Sequence, residues 1–245
     1  MEKVYLGSMG WSYKQWDIYH GLKPDEYLSR YSNHFNSVEV NNTFYRIPRE
    51  SSMIEWARQV PDSFRFAIKF PRSISHSRGL EPDQGRLEAF LSRIQLLEDK
   101  AGPLLIQFPS TLKPDKMSEL AEFLNKLPLV NSYAIEFRQK DWFNEGTYKL
   151  LRDNNVALVT VRHPVRPTIE VQTAEFSYIR LEGDRTIVKG ESGKVEQNKS
   201  EANRKWVEKI SELSTHHEVY CYISKHYSGY PPVDLEQIME GLKST

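Results

Sequence analysis

Short hydrophobic runs recur along the chain, separated by segments in which apolar residues return every three or four positions. Eight runs read as strands: residues 4–7, 37–41, 64–70, 104–108, 133–137, 156–161, 176–181 and 218–223. Helical spacing fills the intervals. Tyr27, Leu28 and Tyr31 mark one stripe, and Leu87, Phe90, Leu91, Ile94 and Leu97 a second. Met117, Leu120, Ala121, Leu124 and Leu127 form a third, stopped by Pro128. Short helices are expected at 53–60 and 148–154. Trp206, Val207, Ile210 and Leu213 predict another helix, and Leu235, Ile238, Met239 and Leu242 the last. Strands alternating with helices predict βαβ units and parallel pairing. Eight such units in 245 residues predict one domain over 1–245, an α/β chain of the (β/α)8 TIM-like barrel type. The polar, Gly-containing stretch at about 183–200 is expected to be a loop or small hairpin.

A doubly wound open sheet is the competing architecture, and its strands are apolar on both faces. Here the runs carry a polar residue near the C-terminal end: Glu39 and Asn41, Lys69, Gln107, Glu136 followed by Arg138, and Arg180 followed by Glu182. The chain is organised around the place where those strand ends meet. In a parallel barrel, active sites sit at that end.

Composition narrows the class. Lys+Arg and Asp+Glu both number 33, so the net charge is zero, which argues against a dedicated nucleic-acid binder. One cysteine, Cys221, excludes an intrachain disulfide and a cysteine zinc site, and it reads as a buried strand thiol. The start, Met1-Glu2-Lys3-Val4, shows no signal-peptide pattern, and no apolar run is long enough to span a membrane. A cytoplasmic protein is expected. No Gly-x-Gly-x-x-Gly follows the first strand and no Gly-Lys-Ser/Thr occurs, so no nucleotide cofactor is called for.

Strand alternation puts Glu39 with Asn41, and Glu136 with Arg138, on one inward face. Glu39, Glu136 and Lys69 are the catalytic candidates. Two carboxylates supply an acid and a base, and Lys69 either holds charge or acts as an amine nucleophile. Arg138 and Arg180 suit a carboxylate or phosphate by paired N–H donation, or they clamp Glu39 and Glu136 in an internal ion network. Trp11, Asn41, Tyr45, Gln107 and Trp142 complete the ligand-binding set, with the aromatics offered as stacking surfaces. Tyr13, Trp16 and Trp56 read as core. His76, His163 and His226 each follow a strand end and invite a metal reading with the two glutamates. None shows a metal-type spacing such as His-x-x-x-His, so no metal is expected.

At this point the residues resemble a known family. Gly7-Ser8-Met9-Gly10-Trp11-Ser12-Tyr13 with Trp16, Val38-Glu39-Val40-Asn41-Asn42-Thr43-Phe44-Tyr45-Arg46-Ile47-Pro48, and Trp56-Ala57 with Pro61 are similar to blocks of the YecE-like family, domain-of-unknown-function family 72. Phe64-Arg65-Phe66-Ala67-Ile68-Lys69, Ser75-His76, Gln107-Phe108-Pro109, Glu136-Phe137-Arg138 with Trp142, and Arg180-Leu181-Glu182-Gly183 continue the likeness. The resemblance implies a TIM-like barrel and implies no activity. Three positions depart from the family pattern. Met9 stands where Ser is favoured, Glu182 where a His is usual, and Ser224-Lys225-His226 where an Asn-Asn pair follows the last strand.

Two readings from different classes follow. One is an enzyme that acts on a small polar, anionic ligand, such as a sugar phosphate or nucleotide-derived compound. In it the carboxylates do acid/base work, and Lys69, Arg138 and Arg180 hold the anion. The other is a non-catalytic module that binds the same ligand. A metal-dependent phosphodiesterase is a third. The anion pocket requires Glu182 to turn toward the 183–200 loop or to pair with Lys225, because a Glu182 turned inward cancels the surplus positive charge.

Overall fold

The structure is a computed structural model that describes residues 3–244, so the reading of Met1 and Glu2 as part of the N-terminus lies outside the described residues. The chain folds as two compact units. The first takes the chain up to Glu39, Thr160–Thr168, and everything from Phe176 onward. The second takes Val40–Val159 and Ile169–Glu175.

The strands are β1 (Val4–Ser8), β2 (Ser37–Val40), β3 (Arg65–Lys69), β4 (Ala101–Gln107), β5 (Tyr133–Glu136), β6 (Val156–Leu158), β7 (Thr160–Arg162), β8 (Phe176–Leu181) and β9 (Glu218–Ile223). They form a four-stranded sheet of order β1-β9-β8-β7 and a five-stranded sheet of order β2-β3-β4-β5-β6. The strand pairings described are parallel. The α/β class and the alternating element order expected of a (β/α)8 chain are thus present. The sixth predicted run differs: it is two strands. Val156–Leu158 pairs with β5, Thr160–Arg162 pairs with β8, and Val159 between them donates its N–H to Ile135 O at 2.9 Å. The hydrophobic pattern is continuous through this change of partner, which is why it reads as one run.

The helices are α1 (Tyr27–Ser32), α2 (Glu50–Gln59), α3 (Arg72–Ser75), α4 (Gln84–Gln95), α5 (Met117–Asn125), α6 (Glu145–Asp153), α7 (Ser200–Ser214), α8 (Lys225–Ser228) and α9 (Pro231–Lys243). Their placement follows local chemistry. The Asp83 carboxylate accepts the Arg86 N–H at 2.8 Å to start α4, whose Leu87, Phe90, Leu91 and Ile94 are buried. Asn144 caps α6 by accepting from Thr147 N at 3.1 Å. Pro231 and Pro232 open α9, where the missing N–H groups have no helical partner to lose. Strand β4 is buried from Pro103 to Gln107, as expected of a parallel strand covered on both faces. Among the described residues no helix is long and apolar enough to cross a membrane.

Residues 183–199 form no hairpin; they run as an irregular strap in the first unit. The Glu196 carboxylate ties it by accepting from Lys189 N at 2.7 Å and Gly190 N at 2.8 Å. Gly193, at φ +66°, passes so close to Gln15 that an added Cβ would lie 2.0 Å from the Gln15 carbonyl oxygen.

A second polar knot holds α7, α8 and α9 together. Asp234 accepts from Ser228 Oγ and from Asn203 Nδ2, the latter at 3.0 Å, and Tyr227 donates to Asn203 Oδ1 at 3.2 Å. Burial raises the Asp234 carboxyl to about 6, against the lowering effect of those hydrogen bonds and of Lys199. A carboxyl raised on folding contributes stability that is fully present below its ordinary range and is lost as pH rises through the folded value. Wild-type melting temperature should therefore fall as pH rises from about 4 to about 6 through this group. Asp234→Asn should flatten that part of the profile in a pH series of thermal melts. An unchanged slope would show that Asp234 does not titrate there.

Candidate functional site

In the first unit the strand-end charges close on one another. Alternation along β8 puts Tyr178 and Arg180 on one face, with Glu182 continuing it just past the strand. Arg180 grips Glu39 with two parallel bonds, Nε to Oε2 at 3.0 Å and Nη2 to Oε1 at 3.0 Å. Its Nη1 donates to Glu182 Oε1 at 2.8 Å, and Nη2 also approaches Met9 Sδ at 3.3 Å. Tyr178 donates its hydroxyl to Glu39 Oε2 at 2.8 Å. Glu39, Arg180 and Glu182 are all buried, and Met9 forms a parallel bridge with Glu39. Burial acts to raise the Glu182 carboxyl. Arg180, with Arg185 and Arg166, outweighs that burial and the repulsion of Glu39, so Glu182 is held below the usual carboxylate range. Burial, then the Glu39 charge, pushes the Tyr178 hydroxyl far above its ordinary value, so it stays a donor.

Glu182 therefore turns onto Arg180, and Arg185 of the 183–199 strap adds to the positive charge acting on it. The reading in which Arg180 offers its guanidinium to an anion is corrected here. Two carboxylates already bracket that guanidinium, and the trio carries a net negative charge.

Buried hydroxyls extend the same region. Tyr31 accepts from Ser8 N at 2.7 Å and donates to Ser37 O at 3.1 Å, and Ser37 Oγ meets Tyr222 OH at 2.7 Å.

In the second unit the arrangement is different. The last residues of β3, β4 and β5 are Lys69, Gln107 and Glu136, and Gln107 and Glu136 are register partners. Gln107 Nε2 donates to Glu136 Oε1 at 2.8 Å. A carboxylate only accepts, so this bond turns the amide oxygen the other way. That oxygen, Oε1, receives Lys69 Nζ at 2.8 Å and Arg138 Nη2 at 2.9 Å. Arg138 Nε lies 3.9 Å from Glu136 Oε1. Lys69, Gln107 and Glu136 are buried, whereas the Arg138 side chain is 42% exposed. Thr43 Oγ1 fixes the end of β3 by donating to Lys69 O at 2.6 Å, and Lys69 Nζ stands 4.6 Å above the Phe44 ring.

The remaining candidates are dispersed. Asn41 is half-buried at the entry to the turn 42–44, and Tyr45, next to it, is 85% exposed. Trp11 is half-buried in the first unit, its carbonyl accepting from Tyr19 OH at 2.7 Å. Trp142 is a correction. It is wholly buried, stacked on Phe137 at 4.6 Å and tied by Nε1 to Leu112 O at 2.9 Å, so protein and not ligand covers its ring. Cys221 is buried, and burial drives its thiol well above the ordinary value. Among the described residues no group of three or more His, Cys, Asp or Glu side chains is placed to hold a metal ion.

Two participants escaped the sequence reading. Tyr178 shares strand parity with Arg180, a signal that was available. His76 was weighed only as a metal ligand. It lies among Arg72, Arg138 and Lys69, with its Nδ1 3.0 Å from Ser75 Oγ and its ring edge-on to Phe44 at 5.3 Å.

Parallel βα units with polar residues gathered at the C-terminal strand ends define the class of protein. The profile of the family described as "Protein of unknown function DUF72" matches residues 5–245, and the chain belongs to this family. It is 34% identical over 143 residues to the UPF0759 protein YecE of Escherichia coli K12, covering 58% of this chain and 51% of that protein. It is 26% identical over 154 residues to the UPF0759 protein YunF of Bacillus subtilis, covering 60% and 54%. The chain thus spans about half the length of the curated relatives it matches. A solved DUF72 family protein of Thermotoga maritima is similar over 98% of this chain and 99% of its own, with 26% identity and a TM-score of 0.81.

Removing one partner from a buried ion group leaves the rest uncompensated and costs about 3–5 kcal/mol. Arg180→Ala should lower stability by that order in urea unfolding, because two carboxylates then remain buried. Glu182→Gln, which keeps an acceptor for Arg180 and removes one of two like charges, should cost much less. Equal losses from the two substitutions would contradict the network drawn above.

Proposed function

We propose that the C-terminal ends of β3, β4 and β5 bind a small anionic molecule, of the sugar phosphate type, and transfer a proton to or from it. One observation carries the reading: two cations, Lys69 and Arg138, converge on a single neutral acceptor, Gln107 Oε1, at 2.8 and 2.9 Å. A phosphate or carboxylate oxygen is a stronger acceptor than an amide oxygen. An entering anion can therefore take over these donors. Arg138 is the one it reaches first, because that side chain is exposed to solvent. Phe44 and the exposed Tyr45 supply an apolar flank for a sugar ring. Glu136, held through Gln107, is the carboxylate that would serve as acid or base. A module that binds the same anion without converting it uses the same donors, and Glu136 tells the two apart.

The test is a thermal-shift series at low salt with sulfate, phosphate and a panel of sugar phosphates. A ligand at 100 times its Kd adds about 2.7 kcal/mol to stability. The shift should vanish in Arg138→Ala. Glu136→Gln should keep the shift and lose turnover of whichever panel member is converted. No anion-dependent shift in the wild type, or a shift that survives Arg138→Ala unchanged, overturns the proposal.

A further inference from the structure

We propose that His76 is a second proton-carrying group of this anion site, beside Glu136: Ser75 holds it in the Nδ1–H tautomer, so that Nε2 keeps its lone pair as a base and takes up a proton when an anion enters. The inference rests on the reading of β3–β5 as an anion site and adds the group that answers the ligand's charge.

The proposed tautomer gives the one Ser75 hydroxyl proton to the backbone carbonyl and not to the ring. Ser75 Oγ carries one proton, and it donates that proton to Pro71 O at 3.1 Å, the back-bonding common to serine in helices. The contact at 3.0 Å between Ser75 Oγ and His76 Nδ1 then needs its hydrogen from the imidazole. With Nδ1 protonated and the ring neutral, the lone pair is on Nε2. Ser75 is buried, which fixes the hydroxyl, whereas the His76 ring is half-buried and reachable.

The surroundings decide the ring's charge. Burial lowers the imidazole, and Arg72, Arg138 and Lys69 lower it further; the charges acting on it are all positive. His76 is therefore neutral at pH 7 in the free protein, a base set among cations. Two of those cations, Arg138 and Lys69, are the donors proposed for the ligand. An anion bound between Arg138 and Lys69 cancels the repulsion that keeps the ring neutral, and an anionic oxygen near Nε2 favours imidazolium directly. Binding and protonation are then linked: the proton comes from solvent, ends on Nε2, and is placed for delivery to the bound molecule.

Sulfate, which does not titrate in this range, is the probe, and two measurements together test the idea. In the free protein, long-range proton–nitrogen NMR should show His76 as the Nδ1–H form. Ser75→Ala should mix the tautomers, and Arg138→Ala should raise the pH at which the ring titrates. In calorimetry, wild-type affinity for sulfate should fall by up to about tenfold per pH unit across the His76 titration, whereas His76→Gln should bind sulfate with a flat profile. A ring found as Nε2–H in the free protein, or the same pH dependence in wild type and His76→Gln, overturns the role of His76 and leaves the anion site standing. Absence of sulfate binding in both proteins overturns the site and this inference with it.

Discussion

A guanidinium taken out of water sets the terms for the strand ends of the first unit. Arginine keeps its charge at any pH a protein survives, so Arg180 can be buried only if acceptors surround it. Glu39 and Glu182 meet that demand, and each is placed by backbone geometry: Glu39 by its bridge to Met9, Glu182 by following Arg180 at two-residue spacing. A register slip of one residue along β8 would turn Tyr178 and Arg180 to the opposite face together. The charge cluster thus specifies strand register as firmly as the apolar core does.

The second unit solves the same problem with an amide. Gln107 stands between one carboxylate and two cations, donating to the first and accepting from the others. A neutral hub relays orientation without fixing net charge, and it can be outcompeted by a charged ligand in a way that Glu39, with its two-point grip on Arg180, cannot. This contrast is why a binding role is proposed for the second cluster and not for the first, although both gather charge near strand ends.

Much of this was legible beforehand. Hydrophobic runs located β8 and β9 residue for residue, and one polar residue near a strand end marked where charge would gather. What escaped has physical causes. Glu39 and Arg180 are 141 residues apart, so nothing local in the sequence announces their pairing. Parity tells which face a side chain takes but not which neighbour it meets, so Glu182 could be placed on the correct face while its partner was left open. Trp142 follows a strand end like any stacking residue, and only the packing of Phe137 against it shows that its ring is already covered. His76 looked like a stray ligand because its significance lies in the cations around it, which come from α3, β3 and the segment after β5.

The buried phenols have an optical consequence. Tyr31, Tyr178 and Tyr222 are sealed in the first unit, and burial drives all three well above the ordinary ionisation of tyrosine. A phenol changes its ultraviolet absorbance when it loses its proton in alkali, ordinarily at about pH 10. The sealed ones remain dark to that titration while the chain is folded. Their neutral form is part of what favours folding, a contribution that is lost as pH climbs through their displaced ionisation. Phenolate absorbance in strong base should accordingly arrive in two portions, a gradual one from the surface and an abrupt one when the first unit opens. The second portion turns an ordinary spectrophotometer into a gauge of whether the hydroxyl network is still closed.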